Sequence, residues 1–105
     1  MGKHFAITSS GKTLKSTVDL RFGKCRYLVI HRPGDEVSKL IENPFREEEE
    51  PGMKLAEFLR EHEITSIITG GVGIRVSQYL AEQKIQLVML EEDNIHIEDV
   101  LDRLG

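Results

Sequence analysis

Several residue types that mark particular classes of protein are scarce or absent in this chain. It contains one cysteine, no tryptophan and three prolines, and its longest apolar runs are four residues. One cysteine cannot form an internal disulfide, which argues against a disulfide-stabilised secreted scaffold. Apolar runs this short fall far below the roughly 20 residues of a membrane-spanning helix, and no secretory signal pattern is seen. We therefore expect a soluble, cytoplasmic protein.

The residues that are present suit one folded domain with an uneven charge distribution. Of 105 residues, 39% are apolar and 30% charged, which favours a single domain over residues 1–105. Residues 1–32 carry seven lysines and arginines against one acidic residue, Asp19, whereas residues 33–105 carry seven basic and 17 acidic residues. This asymmetry indicates a local anion-binding site on an acidic protein, although a solvated surface of uneven charge would give the same pattern.

The order of strand-like and helix-like segments predicts the fold class. Short β-branched runs alternate with segments in which apolar residues recur every three or four positions. Residues 10–25 show no periodicity, and long loops of this kind are usually functional or mobile. The predicted strands are Phe5–Thr8, Arg26–His31 and Val37–Ile41 (a hairpin), 64–69 and 85–90, and the predicted helices are Met53–His62, Ile74–Gln83 and 97–104.

This order, β-β-β-α-β-α-β-α, implies an α/β fold with a mixed five-stranded sheet and flanking helices. Right-handed crossovers would place the first strand beside the 64–69 strand or close to it. Ligands collect at the carboxyl ends of parallel strands in such sheets. We therefore expect the turns Ser9–Lys12 and Gly70–Gly73 to meet at one edge of the sheet.

The glycine-rich turn Gly70–Gly73 joins a strand to a helix. At such a position free backbone N–H groups and the helix dipole favour an anion, and glycines let the backbone approach it closely. A dinucleotide fingerprint would need a glycine where Val76 stands, and the Gly-Lys-Ser/Thr of a phosphate-binding loop is absent. The motif thus predicts either an anion site of another kind or a tight structural turn.

The loop that contains Cys25 is strongly basic, with Lys12, Lys15, Arg21, Lys24 and Arg26 near the thiol in sequence. Neighbouring cations lower a thiol pKa, and a thiolate is a soft ligand for iron–sulfur clusters, copper or zinc. A lone cysteine at the start of a strand is also commonly a small buried apolar residue, so both interpretations stay open.

Other catalytic and metal-binding patterns are sparse. The chain lacks a second cysteine, and its histidines (His4, His31, His62 and His96) have no helical metal-site spacing, which argues against a closed zinc site. Asp19 is the one carboxylate near the basic loop, whereas two-metal nuclease chemistry needs several converging acids. We expect a protein that is not an enzyme.

Three segments taken in order resemble the family of dinitrogenase iron–molybdenum cofactor biosynthesis proteins. They are Val18–Cys25, with its Arg-Phe-Gly-Lys-Cys motif, the Glu-Asn-Pro of 42–44 and the glycine turn 70–73. The resemblance runs from about Phe5 to Met89. Arg21 stands where the family often has histidine, so a histidine cluster ligand is absent there.

The resemblance implies a ribonuclease H-like fold and a non-catalytic protein that binds or carries an anionic metal–sulfur cluster, such as the iron–molybdenum cofactor or a related cluster. The implied partners are this cargo and a donor or acceptor protein. The cluster would lie against the glycine-turn donors and the charges of Arg21 and Lys24, and Cys25 would supply at most one metal ligand. The implied cofactor-binding residues are Arg21, Phe22, Gly23, Lys24, Cys25, Gly70, Gly71 and Gly73.

Other functional classes stay open on the residues alone. A nucleic-acid-binding module would use the basic loop 12–26, with Phe22 and Tyr27 close enough to stack on bases. The net charge of −4 opposes that function. The remaining alternatives are a small-anion sensor, a protein-interaction domain and, least favoured, a nuclease.

Overall fold

Five strands form a mixed sheet in the computed structural model of this protein, which describes residues 2–104. β1 lies at the centre of the order β3-β2-β1-β4-β5, antiparallel to β2 and parallel to β4. The predicted α/β class with a mixed five-stranded sheet and helices is confirmed. β1 pairs with β4, in agreement with the expectation that the two strands lie side by side or close together. The elements are β1 (Phe5–Ser9), β2 (Tyr27–His31), β3 (Lys39–Glu42), α1 (Pro51–Glu61), β4 (Ser66–Thr69), α2 (Ile74–Glu82), β5 (Gln86–Met89) and α3 (Ile97–Leu104).

The predicted hairpin of β2 and β3 is present, but its second strand starts two residues later and ends one residue later than predicted. Asp35 N donates to Arg32 O at 3.0 Å, and Gly34 has a φ of 97° in the turn. This turn lengthens the loop between β2 and β3. Val37, which was predicted to begin the second strand, therefore lies in that loop, and 82% of its surface is exposed.

The helices cover the two faces of the sheet unequally. Alternate residues of a strand point to opposite faces, so Ala6 and Ile67 pack in one apolar cluster whereas Ile7 and Ile68 pack in the other. Helices α1 and α2 complete the first cluster through their apolar stripes, and α3 completes the second. All five residues of β1 are buried, as expected for a central strand covered on both faces.

The loop between β1 and β2 is held to its surroundings at several points. Isolated bridges join Val18 to Ser9 and Thr17 to His96, and Asp19 N donates to Thr8 O at 2.9 Å. The long loop predicted from the lack of periodicity therefore lies against the end of β1 and the start of α3. Among residues 2–104, no helix combines the length and the apolar character that crossing a bilayer requires.

Candidate anion-binding site

The carboxyl ends of the parallel strands β1 and β4 lie side by side at one edge of the sheet. Two buried threonines mark the ends: Thr8 Oγ1 lies 2.9 Å from Thr69 Oγ1 and donates to Asp19 O at 2.6 Å. The loop after β1 is thereby joined to both strands. This is the end of the sheet at which the sequence analysis placed the candidate site.

The segment around Arg21 meets the glycine turn at this edge. Gly71 N donates to Leu20 O at 3.0 Å, and Arg21 and Gly71 form an isolated parallel bridge. A Cβ at Gly70 would lie 2.2 Å from Leu20 O, so only a glycine permits this backbone contact. Two segments 50 residues apart in the chain therefore converge. The rule for parallel strands named Ser9–Lys12 as the partner of the glycine turn, whereas the contact is made by Leu20–Arg21, beside the arginine that the family resemblance placed there.

The amino terminus of α2 opens onto the same edge. The residue that precedes the helix is Gly73, which has no side chain to cap it, and the first turn contains no acidic residue. Ser77 N donates to Gly73 O at 3.0 Å, which leaves the N–H groups of the first turn without an intrahelical acceptor. With Gly71 and Gly73 both exposed, these N–H groups and the positive end of the helix dipole are suited to an anion.

The start of α1 also packs against this region, which the sequence analysis did not predict. A Cβ at Gly23 would lie 2.6 Å from Gly52 N, and one at Gly52 would lie 3.1 Å from Val76 Cγ2. The absence of a side chain at Gly23 therefore allows its backbone to pack against the backbone at the start of α1. Across the surface, Arg75 Nη1 and Glu50 Oε1 are 2.5 Å apart and join the starts of α2 and α1. The Pro-Gly pair at 51–52 was the signal that could have identified this contact.

Arg21 is held at the edge by the carboxylate of Asp19. Asp19 Oδ1 accepts from Arg21 N at 3.0 Å and Nε at 3.2 Å, and Oδ2 accepts from Nη2 at 3.3 Å. Asp19 is buried, whereas 65% of the Arg21 side chain is exposed. The hydrogen bond with Asp19 and the charge of that carboxylate raise the pKa of Arg21. The exposed guanidinium is thus kept in one orientation.

The other predicted site residues of this loop lie elsewhere. Phe22 is buried in the cluster beneath α1 and α2, and it contributes no exposed contact surface. The Nζ of Lys24 donates to Arg46 O at 3.3 Å, toward the segment that follows β3.

Cys25 faces the core, which corrects the expected character of its thiol. Its side chain has no exposed surface and packs with Leu28 and Leu55, and Asn43 Nδ2 lies 3.7 Å from Sγ. Burial, and then the negative charge of Asp19, raise the pKa of Cys25 to about 12. The prediction that nearby cations lower this pKa is wrong, because loss of hydration outweighs the attraction of Arg21.

The donors at this edge are N–H groups and guanidinium groups. Within the stretch 2–104, no group of three or more histidine, cysteine, aspartate or glutamate side chains is arranged to hold a metal ion. The N–H and guanidinium donors of the edge are suited to contacts with the outer atoms of an anionic group.

The family of the protein follows from a comparison of its sequence with family models. The model described as dinitrogenase iron–molybdenum cofactor matches residues 3–105. The chain belongs to the dinitrogenase iron–molybdenum cofactor family. No curated protein shows significant similarity to it.

Solved structures share the fold of this dinitrogenase iron–molybdenum cofactor family member. The apo form of the orange protein from Desulfovibrio gigas superposes with a TM-score of 0.85 at 21% identity, covering 98% of this chain and 87% of that protein. A NifB-like protein from Thermotoga has a TM-score of 0.77 at 24% identity, with 97% and 85% covered. A dinitrogenase-like protein from Methanocaldococcus jannaschii has a TM-score of 0.60 at 18% identity, with 98% and 91% covered.

The structure thus divides the predicted site residues into three sets. Arg21, Gly70, Gly71 and Gly73 lie together at the edge, whereas Phe22, Gly23 and Cys25 support it from within. Lys24 belongs to neither set, because its Nζ is directed at Arg46 O. The pairing of Asp19 with Arg21 was not predicted from the sequence. A carboxylate two residues before an arginine was the available signal.

Proposed function

We propose that the protein binds and carries an anionic metal–sulfur cluster at the edge formed by Arg21 and the turn 70–73. Membership of the dinitrogenase iron–molybdenum cofactor family supports an association with metal clusters, and the structural similarity to an apo-protein is consistent with a removable group. The observation that carries the proposal is the contact between Leu20–Arg21 and Gly71, because it assembles a cation and backbone donors at one point.

The donor chemistry favours a cluster held by its outer atoms. The Cys25 thiol is buried and protonated at neutral pH, so it is not assigned as a metal ligand. Sulfide and oxide ligands of an anionic cluster accept hydrogen bonds, and the guanidinium of Arg21 and the N–H groups at the start of α2 donate them. Binding through hydrogen bonds and charge leaves no metal–protein bond to break, which suits a carrier that must release its cargo.

We assign the protein a binding role without catalysis. Its cargo would be an iron–sulfur or molybdenum-containing cluster, and its partners would be the proteins that donate and accept that cluster. The fold is proposed to be ribonuclease H-like on the basis of the family resemblance. Nucleic-acid binding is a weaker proposal because Phe22, one of two aromatics near the basic loop, is buried.

The test is anaerobic titration with tetrathiomolybdate, an anionic molybdenum sulfide whose visible absorption reports the bound fraction after gel filtration. The decisive pair of variants is Ile74→Pro and Ile74→Ala. Residue 74 is the first of α2 and follows an extended Gly73, so proline fits the backbone and removes one N–H donor. Alanine removes the same exposed side chain and keeps the donor.

We expect Ile74→Pro and Arg21→Gln each to weaken binding about tenfold, because each removes a hydrogen bond to a charged group. Ile74→Ala should bind as the wild type does. Equal affinity of the proline and alanine variants, together with an unchanged affinity of Arg21→Gln, would contradict the proposed site. Failure of the wild-type protein to bind any anionic cluster would contradict the proposed function.

A further inference from the structure

A second concave region lies at the opposite end of the sheet, near the amino ends of β1 and β4. It has a volume of about 500 Å³, which is within the range of small-molecule pockets. One side is the β2–β3 hairpin and the other is the last turn of α1. Its apolar lining consists of Ile30, Val37, Ile41, Phe58, Leu59 and Ile64.

The polar groups of this pocket are predominantly basic. Arg32 and Lys39 carry positive charges, and Asp35 is the single carboxylate among the lining residues. The imidazoles of His4 and His62 complete the titratable groups that line it. A pocket of this kind attracts an anion while its apolar surface selects a molecule with an apolar body.

His4 adds an unsatisfied polar atom at the pocket. Its Nδ1 is buried and has no hydrogen-bond partner among the described residues. Burial, and then the positive charge of Arg32, lower the pKa of His4 against the smaller opposing effects of a hydrogen bond to the backbone of Glu63 and of the Glu63 and Asp35 carboxylates. Arg32 therefore lies close enough to act on the ring. A buried polar atom without a partner is costly, and a bound molecule can supply the missing hydrogen bond.

We infer that this pocket binds a small organic carboxylate with an aromatic or branched aliphatic body. The body packs against Phe58 and the isoleucines of the pocket, and the carboxylate lies between Arg32 and Lys39 near His4. The guanidinium fork of Arg32 matches the two carboxylate oxygens. The inference is independent of the proposed cluster site, because the two sites lie at opposite ends of β1.

A groove on the other face of the hairpin can be compared with this pocket by the charges that line it. Its volume is about 600 Å³, and it shares Asp35, Val37 and Lys39 with the first pocket. It is also lined by Glu36, Glu98 and Asp102, so its carboxylates outnumber its lysines. An organic acid should therefore avoid the groove on the α3 face and enter the pocket beside α1.

Three indole derivatives with the same apolar ring test the inference: indole-3-acetate, neutral indole-3-ethanol and cationic tryptamine. Binding to the full chain is followed by amide chemical-shift changes in NMR titrations. We expect indole-3-acetate to bind about tenfold more tightly than the other two and to shift the amides of His4, Ile41 and Ile64. The variant Arg32→Gln should lose most of that preference.

The matched control is Arg26→Gln, which removes an exposed arginine that lines neither cavity. It should leave indole-3-acetate binding unchanged. Equal binding of the three indoles, shifts confined to α3, or no saturable binding of indole-3-acetate would each overturn the inference. These NMR measurements do not depend on cluster binding. A negative result would therefore overturn the inference about this pocket without contradicting the proposed cluster-binding function.

Discussion

At the scale of single residues, the loop around Arg21 contains both buried side chains that stabilise the fold and exposed side chains that face solvent. Cys25 N donates to Phe22 O at 3.3 Å in a tight turn, and both side chains are buried. Arg21 and Lys24 point outward from the same turn. Adjacent residues of one motif therefore have different roles, and the buried members stabilise the segment that presents Arg21.

The buried thiol of Cys25 should make stability depend on pH in the alkaline range. Its pKa rises from an ordinary value near 9 to about 12 on folding. Below pH 9 both states keep the proton, and above it only the unfolded state loses it, so the free energy of unfolding falls as pH rises from 9 to 12. The slope is up to about 1.4 kcal/mol per pH unit.

Urea unfolding of the wild type and of Cys25→Ala at several pH values measures this contribution. Because lysines and tyrosines also titrate above pH 10, the difference between the two proteins is the relevant quantity. We expect that difference to shrink with rising pH. A difference that stays constant from pH 8 to 11 would show that the thiol keeps its ordinary pKa on folding.

At the scale of secondary-structure elements, glycines let two pairs of segments approach to backbone contact. Gly70 admits Leu20 against the end of β4, and Gly23 admits the start of α1 at Gly52. The starts of α1 and α2 and the loop after β1 consequently form one packed unit. The geometry of the candidate site depends on these contacts between backbones.

The neighbouring glycines of the turn should respond differently to alanine. A Cβ at Gly70 would lie 2.4 Å from Leu20 Cα, whereas a Cβ at Gly71 would meet nothing within 4 Å. We expect Gly70→Ala to lower the free energy of unfolding by about 2–3 kcal/mol and Gly71→Ala to change it by less than about 0.5 kcal/mol. Chemical denaturation of both variants checks this, and similar losses in the two would contradict the close contact.

At the scale of the whole molecule, stability should decrease from the centre of the sheet to its hairpin edge. Strand β1 is wholly buried between two apolar clusters, whereas β3 has no fully buried residue and pairs on one side only. Local opening requires less free energy where few apolar contacts are lost.

Native-state hydrogen exchange should therefore show the slowest amides in β1 and β4 and the fastest strand amides in β3. The hydrogen-bonded amides within the strands are the ones to compare. Protection of β3 equal to that of β1 would indicate that the hairpin edge is covered in solution, for instance by a partner.

The sequence alone determined the class of fold, the order of the elements and the end of the sheet where the candidate site lies. Apolar periodicity identifies strands and helices locally, and the handedness of crossovers limits their arrangement. Those rules placed Ser9–Lys12 at the glycine turn, whereas the position of Arg21 beside Gly71 was implied only by the family resemblance. The family motifs were equally readable, because they are short patterns of adjacent residues.

Only the tertiary structure decided which way the side chains of residues 18–25 point. An irregular loop has no repeating geometry, so the inward direction of Cys25 and the pairing of Asp19 with Arg21 could not be inferred from spacing. The same holds for Gly23 against Gly52, since contacts between distant backbones depend on how whole elements pack. The expected lowering of the Cys25 pKa became an increase, because burial removes the water that would stabilise the thiolate. That burial depends on the packing of distant segments, which the neighbouring residues in the sequence do not reveal.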